Sequence, residues 1–239
     1  DGDRGLGVGV INRYTYRFLS MDQFQRTSVA ICALETLRRR EINSGNSRIG
    51  ESPFTIGLYA GQSVSPNFVM QGGDGTAYEK LRSLHSEEEP RAFNPFPISS
   101  CPHCGTHLIP KTKATRFEDN TADENKYGFK KKGSSNFEIN CLDENCEFNE
   151  YLPVYFIDEV ILKKPPSFLL GTIDKFAMIP WTENSGKLFG SYTDYDPASL
   201  IIQEELHLIS GPLGTLAGLY EAAFDTLIKN TGRKKFTTS

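Results

Sequence analysis

Two adjacent glutamates and a nearby histidine form the first group of side chains whose types and spacing suit catalysis. Glu204 and Glu205 directly follow the apolar run at 200–203, and His207 lies two residues further on. Phosphoryl transfer needs one carboxylate to hold Mg²⁺ and a second group to position and deprotonate the attacking water. We therefore assign Glu204 to the metal ion, Glu205 to the base and His207 to nucleotide sensing. The alternatives are a polar loop after a strand and, for the histidine, a hydrogen-bonded structural residue.

The cysteines form a second group with recognisable spacing. Four of the five occur in two close pairs: Cys101, Cys104, Cys141 and Cys146. A C-x2-C pair followed by glycine, together with a second close pair, supplies four thiolate ligands for a tetrahedral structural Zn²⁺. The x4 spacing of the second pair is looser than usual, so His103 and His107 are substitute ligands if one cysteine does not bind. Cys32 lies in a predicted helix, where we expect an inert core thiol.

A third group combines cations, a hydroxyl and aromatic rings directly after a predicted strand: Arg13, Tyr14, Thr15, Tyr16 and Arg17. Such side chains can hold phosphates and stack on a base, as proteins that grip single strands do. The loop from Thr172 to Lys175 also follows a predicted strand and carries groups suited to phosphate or metal contact. For the arginines, a solvated turn in which they pair with acidic residues is the alternative.

Short apolar runs alternate with helical patterns around these residues, which predicts an α/β fold with a parallel sheet and helices on both faces. Strands are predicted at 5–11, 54–60, 154–157, 167–170 and 200–203, and 234–239 can begin another. A capping box at 20–23, with Ser20 as the N-cap, predicts a helix that ends at 43–46. Phe24, Thr27, Ile31, Leu34 and Leu37 recur at helical spacing along it. A second helix is predicted to start at 210–212.

Residues 63–150 interrupt this alternation with glycines, prolines and charge runs, which indicates an insertion. We divide the chain into a first part of the α/β domain (1–62), an insertion with the cysteine module (63–150) and the remainder of the domain (151–239). The module has few apolar residues, so metal binding is expected to supply much of its stability. It also carries several cations: Lys111, Lys113, Arg116, Lys130, Lys131 and Lys132. They suit nucleic-acid contact, a partner surface or a merely solvated face.

The overall composition sets limits on partners. The formal net charge is -4 and the sequence pI is about 5.7, so a nucleic-acid partner would have to use local basic patches. No apolar run approaches the length of a membrane span, and the start of the sequence has no signal pattern. Paired cysteines that suit metal ligation indicate a reducing compartment. We therefore expect a cytoplasmic protein with no membrane partner.

Several of these segments resemble the superfamily-two helicases, and more closely the helicase-like DrmA family of the DISARM anti-phage defence system. The resemblance is carried by four stretches that span nearly the whole chain: 13–26, 101–105, 166–177 and 200–221. It implies a RecA-like parallel sheet and a DExH-type motif at 204–207. It also implies that 13–17 and 172–175 contact nucleic acid, and that the whole protein is an ATP-dependent helicase or translocase.

The sequence departs from that family in two respects. Glu204 stands where the family usually has aspartate, and its extra methylene affects Mg²⁺ placement. No G-x4-G-K-S/T loop occurs, since Ser185-Gly186-Lys187-Leu188 has neither the leading glycines nor the final hydroxyl. In these helicases that loop lies upstream, and a second RecA-like domain lies downstream. We therefore expect this chain alone not to hydrolyse ATP.

The resemblance implies DNA, ATP and Mg²⁺ as partners of the full-length protein, together with other defence-system proteins. The alternative function is a non-catalytic zinc-containing module that binds DNA or a partner protein. In that case the acidic pair would be retained only structurally.

Overall fold

The computed structural model describes residues 7–15, 17–70, 75–116, 122–190, 195–204, 218, 222 and 234–237. The strands are β1 (Val10–Tyr14), β2 (Ile56–Tyr59), β3 (Phe129–Lys132), β4 (Asn136–Ile139), β5 (Val154–Tyr155), β6 (Phe168–Thr172), β7 (Leu200–Gln203) and β8 (Lys234–Thr237). The α-helices are α1 (Arg17–Asn43), α2 (Ala77–Ser86), α3 (Asp158–Lys163) and α4 (Ile173–Ala177). Short 3₁₀ turns cover Ser47–Ile49, Glu124–Lys126, Ile179–Trp181 and Ser185–Phe189.

Six strands form one sheet in the order β5-β2-β6-β1-β7-β8, and every neighbouring pair is parallel. All four residues of β2 are buried, as are four of the five in β6. Strands that are covered on both faces carry continuous apolar runs, which is why the short apolar segments of the sequence pair in this way. The predicted α/β fold class, with a parallel sheet, is confirmed.

Helices cover both faces of the sheet. On one face, Ile56 and Leu58 belong to a core cluster with Phe24 and Ile31 of α1. On the other face, Leu169 and Tyr59 belong to a second cluster with Ile161 of α3 and Phe176 of α4. Alternate residues of a strand point to opposite faces, so β2 and β6 each contribute to both clusters.

The first strand lies further along the chain than the sequence pattern predicts. The prediction was 5–11, whereas β1 covers Val10–Tyr14. Gly7 has φ +99°, a conformation outside extended strand geometry. From Val10 up to and including Arg13, β1 pairs with β6 on one side and with β7 on the other. Arg13 and Tyr14 are consequently strand residues and do not lie in the loop where we expected them.

Helix α1 also begins earlier than predicted. It starts at Arg17, so Ser20 is a buried residue within the helix and not its N-cap. Its end at Asn43 agrees with the prediction, and Gly45 follows with φ +87°. Leu34 and Leu37, predicted to lie on the buried face, are 46% and 56% exposed.

The buried face of α1 carries an ion cluster of Glu35, Arg38 and Arg39 where Leu34 and Leu37 were expected. Glu35 is 1% exposed and accepts hydrogen bonds from Arg38 Nε (2.7 Å), Arg38 Nη2 (2.8 Å) and Arg39 Nε (2.9 Å). Its Oε2 also accepts from the Phe54 backbone N–H at 2.9 Å, just before β2. The carboxylate therefore ties the helix to the sheet through fully satisfied hydrogen bonds.

The insertion contains its own elements and shares a core with the sheet. Helix α2 starts with a capping box between Thr76 and Glu79, and β3 and β4 form an antiparallel hairpin. Phe129 and Phe137 of the hairpin pack against Phe156, with ring centroids 6.2 and 6.0 Å away. The module thus gains apolar burial from the body of the domain as well as from its own few residues.

The remaining predicted strands correspond to β2, β5, β6, β7 and β8, with shifts of up to two residues at most ends. In the helix predicted after 210, Gly218 and Ala222 are helical, and its other residues lie outside the described part. No helix among the described residues has the length and apolar character needed to cross a bilayer.

Candidate functional site

The carboxyl ends of β1, β6 and β7 meet at one edge of the sheet. Tyr14 is in register with Thr172, and Arg13 is in register with Gln203. The Glu204 backbone N–H donates to the Arg13 carbonyl at 2.9 Å, which continues the ladder one residue past β7. In parallel α/β sheets this edge is where ligands bind, and the predicted motif starts there.

Several of the predicted residues fall outside what the structure describes. Glu205 and His207 lie outside the described residues, as does Tyr16. Arg17 begins α1, and the placement of its side chain is likewise outside the description. Their catalytic and nucleic-acid roles stay predictions.

The described members of the first cationic segment are buried. Arg13 is 1% exposed and Tyr14 is 7% exposed. The Tyr14 hydroxyl accepts a hydrogen bond from Asn12 Nδ2 at 3.2 Å. Burial, and then the negative charge of Glu204, raise the pKa of Tyr14. Glu204 is therefore close enough to influence the end of β1, while Arg13 lies inside the sheet.

Two hydroxyls flank this edge. Thr15 Oγ1 and Thr172 Oγ1 are both buried and have no hydrogen-bond partner among the described residues. Thr172 occupies the N-cap position of α4, but its side chain makes no capping hydrogen bond there. Nucleotide and nucleic-acid phosphates are acceptors that such hydroxyls suit.

Lys175, the other predicted nucleic-acid residue in this loop, takes part in an internal network. Its Nζ forms an ion pair with Asp158 Oδ2 and donates to Asn67 Oδ1 at 3.0 Å. It also lies 5.1 Å from the centroid of the Tyr59 ring. Burial raises the pKa of Asp158 to about 7, while the charge and hydrogen bond of Lys175 oppose that rise.

This network lies at the wall of a cleft of about 510 Å³, whose rim includes Trp181 at 70% exposure. In the sequence, Pro165 and Pro166 separate Asp158 and Glu159 from the next predicted strand, so the pattern does not indicate a site at this acid pair. No local pattern indicates that Asp158 has a lysine partner.

The four paired cysteines come together in space. Their Sγ atoms all lie within 4.8 Å of one another, and the described residues contain no other such group. Cys101 Sγ is 3.9 Å from Cys146 Sγ, and Cys104 Sγ is 3.4 Å from Cys141 Sγ. Ligands at about 2.3 Å around a tetrahedral Zn²⁺ lie about 3.8 Å apart, so the donor set fits this ion.

The local backbone suits a metal knuckle. Gly105 has φ +79° and its N–H donates to the Cys101 carbonyl at 2.9 Å, which closes the first turn. The Asp143 N–H points at Cys141 Sγ at 3.4 Å. Burial raises the pKa of Cys101 to about 12, a cost that a divalent cation would offset because it binds the thiolate.

The histidines named as substitute ligands are engaged elsewhere. His107 Nδ1 lies 3.0 Å from Ser100 Oγ, and the His103 ring packs edge-on against Phe148 at 5.2 Å. Cys32 is buried and outside the group, as predicted.

The cysteine module is attached directly to α1. Arg39 Nη1 donates to the Glu147 carbonyl at 2.8 Å, and its guanidinium lies 4.7 Å from the centroid of the Phe148 ring. Arg40 Nη2 forms an ion pair with Glu147 Oε1 at 2.8 Å. The second cysteine pair is therefore positioned by the same helix that follows β1.

Comparison with known proteins shows what this chain is similar to. DISARM protein DrmA from Bacillus paralicheniformis is 30% identical over 256 aligned residues, which cover 94% of this chain and 21% of that protein. The chain is thus related to this DISARM protein and spans about a fifth of its length. No family model matches the chain.

Proposed function

We propose that this chain is part of an ATP-dependent nucleic-acid motor that serves anti-phage defence. The observation that supports this best is the relationship to a DISARM protein, which extends over 94% of the chain. The motif begins at the carboxyl edge of a parallel sheet, where a motor of this type holds nucleotide. The RecA-like assignment and the DExH-type motif are parts of the same proposal.

In this proposal the chain contributes one half of a nucleotide site. Glu204 would hold Mg²⁺ and Glu205 would position and deprotonate water, while the phosphate loop would come from another part of the full-length protein. Bound ATP and Mg²⁺ would supply the reactive phosphate and its charge neutralisation. The buried hydroxyls of Thr15 and Thr172 lie at the same edge as Glu204 and are donors for phosphate contacts.

Nucleic acid would pass over the carboxyl ends of β1 and β6. Arg17, at the start of α1, is the candidate contact in this proposal. Arg13 and Lys175 are held within the protein, so their part would be to position the ends of these strands. A direct contact from either would require its side chain to leave its present partners.

The cysteine group is proposed as a structural Zn²⁺ site. Its sulfur geometry fits a tetrahedral ion, and its contacts with α1 place it on the element that follows β1. Zinc would thereby stabilise the position of α1.

The second candidate function is a zinc-containing module that binds DNA or a partner protein without hydrolysing ATP. Two observations favour this second function. Arg13 is buried and Lys175 is held in an internal ion pair, so neither side chain is presented to a nucleic-acid strand that a motor would grip. The two functions differ in whether turnover of ATP depends on the acidic motif.

The test is steady-state ATP hydrolysis by the full-length natural protein, with and without single-stranded DNA. Glu205→Gln keeps the shape of the side chain but cannot accept a proton, so stimulated turnover should fall by at least about a hundredfold. Glu51→Gln, a change of the same kind at an exposed position, is the matched control and should leave turnover unchanged. Equal turnover in wild type and Glu205→Gln would contradict the proposed base, and no turnover in any protein would favour the binding module.

A further inference from the structure

A concave basic surface lies in the insertion, away from the carboxyl edge of the sheet. It is a groove of about 760 Å³ between α2 and β3. Five cations line it: Arg82, Lys113, Lys130, Lys131 and Lys132. Among the described lining residues, Glu124 alone carries a carboxylate. We call this surface the lysine groove.

Few of the cations that line the lysine groove have a carboxylate partner among the described residues, although Glu138 lies opposite Lys130 in the β3–β4 hairpin. Lys113 Nζ approaches Glu88 Oε1 at 3.3 Å, but the Glu88 side chain is 85% exposed, so the pair is weak. Within the described part of the chain, Arg82 and the three lysines of β3 form no ion pair with a carboxylate. A concave wall that carries charge of one sign focuses its field on whatever enters it.

Two of the five cations lie near one aromatic ring, that of Tyr78. Lys131 Nζ lies 4.6 Å from the centroid of the Tyr78 ring, and the Arg82 guanidinium carbon lies 5.9 Å from it. Cation–π contacts of this kind hold charged ends in position. Lys130 and Lys132 are two residues apart on one strand, so their backbones are about 7 Å apart. That step suits successive phosphates of an extended strand.

We infer that the lysine groove binds the phosphate backbone of a nucleic-acid strand, as an anchor separate from the sheet edge. Four of the five cations are lysines, and an ammonium is a point charge that suits phosphates and carries no sequence preference. The planar fork of arginine, which suits bidentate contact with carboxylates and phosphates alike, occurs once here. Every unit of a nucleic-acid strand carries a negative charge, so a groove lined by five cations matches its backbone. The inference goes beyond the motor activity proposed above and does not require ATP hydrolysis.

The experiment measures binding of a fluorescein-labelled oligothymidylate to the full-length natural protein by anisotropy, without nucleotide, across a salt series. Lys130→Gln/Lys131→Gln/Lys132→Gln should weaken binding about tenfold and reduce the salt slope by about 2, since each single-strand phosphate contact contributes about 0.7. Lys130→Gln/Lys132→Gln leaves the contact between Lys131 and Tyr78 intact and should show about two thirds of the change in slope. Melting temperature and zinc content establish that each variant is folded.

The matched control removes three lysines that are exposed and do not line the groove, through Lys126→Gln/Lys163→Gln/Lys164→Gln. An equal loss of affinity in the control would overturn the inference, because the effect would then follow net charge alone. An unchanged salt slope in both groove variants would overturn it as well. If oligoglutamate competes for the groove as well as unlabelled oligothymidylate does, the inference is wrong and the partner is an acidic protein. Failure of ATP turnover leaves these outcomes unaffected, so the two proposals are tested separately.

Discussion

Lys175→Met is the most informative single substitution in the described part of the chain. Lys175 pairs with Asp158, whose side chain is 8% exposed, and Asp158 Oδ1 has no partner among the described residues. Burial raises the pKa of Asp158 to about 7, and the lysine prevents a further rise. Methionine keeps most of the aliphatic volume but removes the charge, so the pKa of Asp158 should rise above 7.

The expected effect depends on pH in a defined way. An acid whose folded pKa is raised destabilises the fold as pH increases from the unfolded value to the folded value. In the wild type, the free energy of unfolding stops falling near pH 7, the pKa of Asp158. In Lys175→Met it should keep falling above pH 7, by about 1.4 kcal/mol per pH unit. The variant should therefore unfold with nearly wild-type free energy at pH 6 and lose about 2 kcal/mol at pH 8.5.

Urea-induced unfolding at pH 6, 7 and 8.5 and constant ionic strength measures this difference. Lys187→Met removes another lysine from the same cleft and should give no pH-dependent loss. Asp158→Asn/Lys175→Met removes both charges and should abolish the extra slope. A difference that stays constant from pH 6 to 8.5, or a slope that persists in the double variant, would refute the ionic role of Lys175. If Lys175→Met binds DNA as the wild type does at pH 6, where the fold is intact, Lys175 has a structural role and does not contact DNA.

Two further predictions concern the cysteine group and the inner face of α1. Cys141→Ser should reduce bound zinc from about one equivalent to less than half, measured by metal analysis, while Cys32→Ala should retain it because Cys32 lies outside the group. Glu35→Gln should cost about 3–5 kcal/mol of unfolding free energy at pH 7, because it leaves Arg38 buried without its charge partner. Burial works against ionisation of Glu35, but Arg38 and Arg39 lower its pKa overall, so this cost should shrink as pH falls below about 4; an exposed Glu41→Gln variant should show neither effect.

The sequence was informative where a local pattern determines the structure. Leu200–Gln203 is a short apolar run between polar residues, and it forms β7 with those bounds. The cysteine pairs were identifiable because ligand spacing is a local property, and they meet in space as expected. The α/β alternation likewise survives the long insertion.

The sequence was less informative where partners are distant. No residue near Glu35 in the sequence indicates that this carboxylate is buried while Leu34 is exposed. The burial depends on a hydrogen bond from the backbone N–H of Phe54, which is distant in the sequence. The pairing of Asp158 with Lys175 depends on the packing of α3 against α4. The bounds of β1 depend on its two neighbours, since Gly5–Ile11 is as apolar as the true strand.

The strand order has a consequence for synthesis of the protein on the ribosome. The central strand β1 is made before both of its neighbours, because β6 and β7 are encoded after residues 63–150. In the sheet, Val10 pairs with Phe168 of β6 and with Leu200 of β7. At elongation rates of about 5–20 residues per second, β1 waits on the order of ten seconds for a hydrogen-bonding partner. The zinc module and α1, completed earlier, can associate during this interval. Both edges of β1 stay open to aggregation until β6 and β7 have been made.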